Sequence, residues 1–193
     1  MCIRDRVYTV DFNMSAAYVN PYDPDQIDVQ ARFTTASGKE ITLPAFWFQD
    51  YRVAAGSERY EQYVPSGSPH WRIRYMPLED GQQSLRIAAR DRDGNVAAAG
   101  PYTFAVTDSG APGPVRRHPG DPVLLQFANG SPYIPLGHNL GFEDGNPDLN
   151  GTAYYKSLLP AFSASGENWT RLWMTDFSRM ALEWAANHFS GFY

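Results

Sequence analysis

The stretch "QIDVQARF", residues 26–33, alternates strictly: Ile27, Val29, Ala31 and Phe33 are apolar, while Asp28, Gln30 and Arg32 are polar. A side-chain period of two fits a strand with one face on a core and the other in water, and it does not fit a helix. The same pattern returns in "HWRIRYMP", where Trp71, Ile73 and Tyr75 point inward and Arg72 and Arg74 outward. "QSLRIAARDRDGNVAAAGPYTFAVT" reads as two strands about Asp93-Gly94, a favoured hairpin pair. "ITLPAFWF" is a further strand, with Pro44 marking an edge or a strand end. Several short alternating strands separated by turn signals predict an all-β, immunoglobulin-like sandwich over residues 7–108.

After that the pattern changes. "TDSGAPGPVRRHPGDP", residues 107–122, is dense in Gly and Pro and reads as a linker, placed at 109–122. "VLLQFANGSPYIPLG" holds two short apolar strands about Asn129-Gly130. "TAYYKSLLPAFSASG" sets Tyr155, Leu158, Leu159 and Phe162 at helical spacing, with Pro160 positioned to kink or shorten the helix and Gly166 as its C-cap. "NWTRLWM" is the next strand. Strand, helix and strand in succession predict a parallel crossover, the repeating unit of an α/β fold.

Composition excludes some functions. Lys and Arg total 16 against 21 Asp and Glu, a net charge of −5, which lacks the basic stripe that nucleic-acid binding needs. No apolar run approaches the roughly 18 residues of a membrane-spanning helix. Aromatic residues make up 15% of the chain; such rings suit both β-sheet cores and sugar stacking, and core packing is the default for most of them. The opening "MCIRDR" can be back-translated as ATG TGT ATA AGA GAC followed by an AG-initial codon. It resembles the end of a transposon adapter used in DNA sequencing, so residues 1–6 are expected to be a scar on a cut fragment. Cys2, the one cysteine, is then not native, which leaves no disulfide and no thiolate metal site.

Several short motifs carry no chemistry. Asn13, Asn129, Asn150 and Asn168 each open an Asn-x-Ser/Thr sequon, but Asn129 begins a tight turn and Asn168 a predicted buried strand. "DRDGN" starts like a calcium loop, yet its twelfth position is Tyr102 rather than a bidentate Glu. His70, His118, His138 and His188 show no metal-ligand spacing. No G-x-S-x-G, G-x-G-x-x-G or Walker sequence occurs. No metal and no cofactor is expected.

The candidate site residues are therefore those at the strand ends of the α/β part, where such folds gather their chemistry. Asn139 and Glu143 follow the first strand, and Asp176, Glu183 and Trp184 the second; Arg171 and Trp173 lie within the second. Inside a strand of a closed sheet a guanidinium needs a carboxylate partner, since an unpaired buried charge costs several kcal/mol. The alternative is an arginine that snorkels to a rim.

"SPYIPLGHNLGF", "ASGEN" and "RLWMTDFSRMALEW", in that order, are similar to the opening of the catalytic (β/α)8 barrel of cellulase-like glycoside hydrolases. Upstream, "NPYDPDQIDVQARFTTASGKEITLPAFWF", Trp71, Arg74 and Pro77 resemble a β-sandwich domain of unknown function found just before such barrels. The resemblance implies that residues 123–193 are the first βαβ part of an incomplete (β/α)8 barrel. It implies a secreted polysaccharide-degrading parent, extracellular or periplasmic, acting on a polysaccharide or oligosaccharide. The parent's catalytic carboxylate pair would lie on later strands, leaving this fragment inactive. Arg171 falls where an arginine supports those carboxylates; Asn139, Glu143, Trp173, Asp176, Glu183 and Trp184 would contact substrate. A non-catalytic carbohydrate-binding or cell-surface sandwich protein is the alternative.

Overall fold

The structure is a computed structural model that describes residues 2–54, 63–141 and 151–173. Its first part is built from two sheets. Strands β1 (Cys2–Ile3), β3 (Ile27–Thr34), β4 (Glu40–Pro44), β7 (Gly81–Asp91) and β8 (Val96–Thr107) form a five-stranded sheet in the order β1-β8-β7-β3-β4. Strands β2 (Tyr8–Phe12), β5 (Phe46–Val53) and β6 (Tyr63–Tyr75) form a three-stranded sheet in the order β2-β6-β5. β7 runs antiparallel to both β3 and β8, β4 to β3, and β2 to β6, whereas β1 lies parallel to β8.

The alternation read in the sequence is what joins the two sheets. Ile27, Val29, Ala31 and Phe33 of β3, Leu85, Ile87 and Ala89 of β7, and Trp71, Ile73 and Tyr75 of β6 make one buried apolar cluster. Phe33 and Tyr75 stack across the layers at 3.9 Å between ring centroids, and Trp47 meets Trp71 edge-on at 5.6 Å. Each of the larger side chains among them, such as Val29, Phe33 and Ile73, contributes roughly 1.5–3 kcal/mol by leaving water. The Tyr75 hydroxyl, carried into this layer with its ring, is satisfied. It donates to Gln83 Oε1 at 2.8 Å, and Gln83 Nε2 donates to the Glu79 carbonyl at 2.7 Å. Burial pushes the Tyr75 hydroxyl above its usual pKa.

"ITLPAFWF" is two strands. β4 stops at Pro44 and β5 starts at Phe46, in different sheets. The break fits the chemistry, because proline has no N–H to offer a continuing ladder. The Ala45 N–H donates to the Val29 carbonyl before the chain leaves β3. "DRDGN" is a closed turn. The Asp91 carboxylate accepts from the backbone and side-chain nitrogens of Asn95, both at 2.8 Å, and Gly94 takes φ +82°. On the outward face of the three-stranded sheet, Arg72 donates two hydrogen bonds to Asp11, at 2.6 and 2.8 Å. The same guanidinium lies 3.9 Å from the centroid of the Phe48 ring.

Beyond β8, strands β9 (Val115–Arg117), β10 (Leu125–Phe127) and β11 (Pro132–Tyr133) form a small antiparallel sheet, so residues 109–122 include a paired strand. The turn at Asn129-Gly130 joins β10 to β11, with Asn129 Oδ1 accepting from the Ser131 N–H and hydroxyl. The chain then runs through β12 (Gly137–Leu140), the helix α1 (Gly151–Ala164) and β13 (Trp169–Leu172). By compactness the chain divides into residues 1–49 with 68–133, and residues 50–67 with 134–193.

Candidate functional site

β12 and β13 are parallel neighbours, with Gly137 opposite Trp169, His138 opposite Thr170, Asn139 opposite Arg171 and Leu140 opposite Leu172. The intervening α1 makes this a strand–helix–strand crossover, as the sequence order predicts. Among the described residues of the helix, Tyr155 is the most buried, at 4% exposure. The helix continues past Pro160 to Ala164 rather than ending there.

The helix end is set by a Schellman motif. Gly166, at φ +84°, donates from its N–H to the Ser163 carbonyl at 3.1 Å, and Glu167 donates to the Phe162 carbonyl at 2.9 Å. That cap delivers the next two side chains to β12. The Glu167 carboxylate accepts from His138 Nδ1 at 2.7 Å, while the His138 ring stacks on Phe162 at 5.3 Å. Asn168 imitates a strand partner. Its N–H donates to the Leu136 carbonyl, its Oδ1 accepts from the Leu136 N–H, and its Nδ2 donates to the Ile134 carbonyl, at 2.9–3.0 Å. The expectation that Asn168 opens a buried strand is corrected here, since most of β13 is exposed. Asn168 is exposed, and its amide is taken up by the chain leading into β12.

His138 therefore faces α1. Alternation along a strand sends its neighbours the other way, so Asn139 and its register partner Arg171 share the sheet face turned from the helix. Trp173 follows Arg171 on that side, and its indole lies close over Gly141, where an added Cβ would meet the ring at 3.3 Å. Gly137 is equally constrained: a Cβ there would lie 1.7 Å from the Trp169 carbonyl oxygen.

Of the residues singled out from sequence, Asn139, Arg171 and Trp173 are thus brought to one face. Arg171 is exposed there, and no carboxylate among the described residues pairs with it. Glu143, Asp176, Glu183 and Trp184 lie outside the described residues. Sequence reasoning missed the clamp formed by Glu167 and Asn168. Its local signal was the Gly166 cap, which fixes where the two following side chains emerge. Among the described residues no group of three or more His, Cys, Asp or Glu could hold a metal ion, and no helix is long and apolar enough to cross a membrane.

Residues 6–90 match the family described as a domain of unknown function, DUF5060. The matched span covers β2 to β7 and so most of the two-sheet core. Over 89% of its length the chain is similar in fold to a crystal structure, at 1.80 Å resolution, of a "putative glycoside hydrolase" from Bacteroides vulgatus ATCC 8482. The TM-score is 0.58 and the identity 19%. The chain spans 28% of the length of that protein. At this identity the likeness shows a common fold. No curated protein matches the chain.

Proposed function

We propose that this chain is the N-terminal part of a secreted, polysaccharide-degrading glycoside hydrolase: an immunoglobulin-like sandwich over residues 7–108, a connection at 109–122, and the first βαβ of a (β/α)8 barrel over 123–193. The observation that carries this reading is Asn139 and Arg171, in register on the strand face opposite the helix. In a (β/α)8 barrel that face is the interior, and the strand ends above it hold the active site. The two-sheet fold matched to DUF5060, and the likeness to a much longer protein described as a glycoside hydrolase, support it.

In this reading the glycosidic bond is cut by two carboxyl groups, one acid and one nucleophile or base, carried on barrel strands outside this chain. Arg171 is a positioning residue for one of them. A guanidinium beside a carboxylate favours its ionised form, lowering its pKa by roughly 1–3 units, and its two-pronged hydrogen bonding fixes the carboxylate plane. Trp173 and Trp184 offer flat rings to sugar faces, and Asn139, Glu143, Asp176 and Glu183 offer polar contacts to hydroxyls. Residues 1–6 are, in the same proposal, an adapter scar, which a recovered gene encoding a different start would establish.

The test is steady-state kinetics of the recovered full-length protein on a soluble chromogenic glycoside. Arg171→Ala should lower kcat by about 100-fold, the cost of a misplaced catalytic group, with KM little changed. Trp184→Ala should instead raise KM. A kcat for Arg171→Ala within a factor of about three of wild type, well under 1 kcal/mol of barrier, would return Arg171 to a purely structural role.

A further inference from the structure

The outward face of the five-stranded sheet carries a charge arrangement that folding does not require. Arg32 of β3 stands directly opposite Arg86 of β7, and both side chains are exposed. Like charges facing each other across an antiparallel pair destabilise it. Arg32 has Glu40 at 3.9 Å, with the two side chains 58% and 61% exposed, a pair worth little in water. Arg86 has no hydrogen bond or ion pair among the described residues. In a chain with more carboxylates than cations, an arginine pair left this way points to an anion from outside.

The two arginines also line a hollow of about 350 Å³, together with Gln30 and Thr42. Its floor is low because Ala88, Ala98 and Gly100 have little or no side chain. Gly100 cannot easily be anything larger. It sits at φ +96°, and a Cβ there would come within 2.6 Å of the Leu85 carbonyl oxygen, beside the irregularity between Leu85 and Ile87. The depression is therefore made by backbone, and the cations stand at its edge.

We infer that this hollow binds a uronate unit of an acidic polysaccharide, its carboxylate held between Arg32 and Arg86. Guanidinium groups present paired N–H donors that match a carboxylate. The Gln30 amide and Thr42 hydroxyl are suited to the sugar's hydroxyls, and the alanine floor to its C–H face. The choice of a sugar as carrier of the carboxylate rests on the proposed role in polysaccharide hydrolysis. The exposed sheet face leaves room for a polymer to continue beyond the bound unit.

The experiment is native affinity electrophoresis of the 193-residue chain in gels containing polygalacturonate, the same polymer with its carboxyls reduced, dextran sulfate, or duplex DNA. Polygalacturonate should retard the chain and the reduced polymer should not. Arg32→Gln with Arg86→Gln should weaken the retardation constant about tenfold or more, as expected for loss of a charge-assisted pair. Arg52→Gln with Arg117→Gln, an equal loss of charge elsewhere, should change it by less than about twofold. Equal weakening by both pairs of substitutions, no weakening by either, or equal retardation by dextran sulfate or DNA would overturn the site.

Thermal unfolding separates a binding role from a structural one. The Arg32/Arg86 double variant should melt no lower than wild type, since a repulsion has been removed; a fall of more than about 5 °C would make the pair structural and defeat the inference. Hydrolysis is read separately on the full-length protein. Hydrolysis without retardation removes this site and leaves the hydrolase reading intact; retardation without hydrolysis does the reverse.

Discussion

Arg72 shows how a single side chain settles an exposed sheet face. Its register partner in β2 is Asp11, which accepts two hydrogen bonds from it, and the Phe48 ring lies under its guanidinium. The hydrogen bond from Arg72, before any longer-range charge, holds the Asp11 carboxyl below its ordinary value of 3.8. A depressed carboxylate pKa stabilises the folded state above the unfolded pKa, and that contribution is lost as pH falls through the folded value. Asp11→Asn should therefore cost about 0.2–1 kcal/mol at neutral pH, the range for exposed pairs, and close to nothing in strong acid. Urea unfolding at pH 7 and at pH 2.5, about a unit or more below the free carboxyl's value, reads the difference; an equal cost at both would exclude the ion pair as its source. The outward direction of Arg72 was legible from alternation. Asp11 was not legible as its partner, because the two are 61 residues apart and β2 is too short to announce itself. Arg171 is similar: its strand and face follow from pattern, while no local pattern can say what, if anything, its guanidinium pairs with.

Elements announced themselves where one face was buried. β3 and β7 alternate because one side of each meets the core, and that pressure is visible in the residues themselves. The first part of β6, "YVPSGSP", is paired backbone with little buried side-chain surface, so no period marks it and alternation becomes visible only from His70. The clamp on β12 escaped notice for a related reason. It is made of backbone groups, the Asn168 amide and the Glu167 carboxylate, and hydrogen bonds leave no apolar rhythm. Its weight can be measured. Asn168→Ala removes two side-chain bonds, each worth roughly 0.5–1.5 kcal/mol, and should speed amide exchange at Leu136 by about tenfold or more on the usual scale of that energy. Exchange at Ile73, in the core of the two-sheet part, should not change. Unaltered protection at Leu136 would mean that Asn168 merely accompanies the strand.

For the whole chain, the change of composition near residue 107 separated an alternating part from a strand–helix–strand part, and both kinds of structure are present. Composition could not foresee that residues 50–67, inside the alternating part, group with 134–193, since that depends on contacts between distant segments. The core cluster, by contrast, draws its buried residues from 27–89. A chain ending at Tyr133 should accordingly keep a cooperative thermal transition and the near-ultraviolet circular dichroism of Trp47 and Trp71, with Tm within about 5 °C of the 193-residue chain. A broad, non-cooperative melt of the shorter chain would show that the two-sheet core depends on residues 134–193.

The cap at Gly166 and the clamp at Asn168 leave the chain no slack between the end of one element and the start of the next. The glycine turns the chain, and two residues later an amide must meet Leu136 and Ile134 at hydrogen-bonding distance. Among descendants of this gene, exposed helix positions such as Ser157 and Leu159 can drift, and the Asp93-Gly94 turn can absorb added residues. With the helix end and β12 held in place, changing the count from Phe162 to Trp169 by one would slip β13 by a residue and turn Arg171 to the face toward the helix. Evolution is thus expected to preserve that length more strictly than it preserves most of the letters within it.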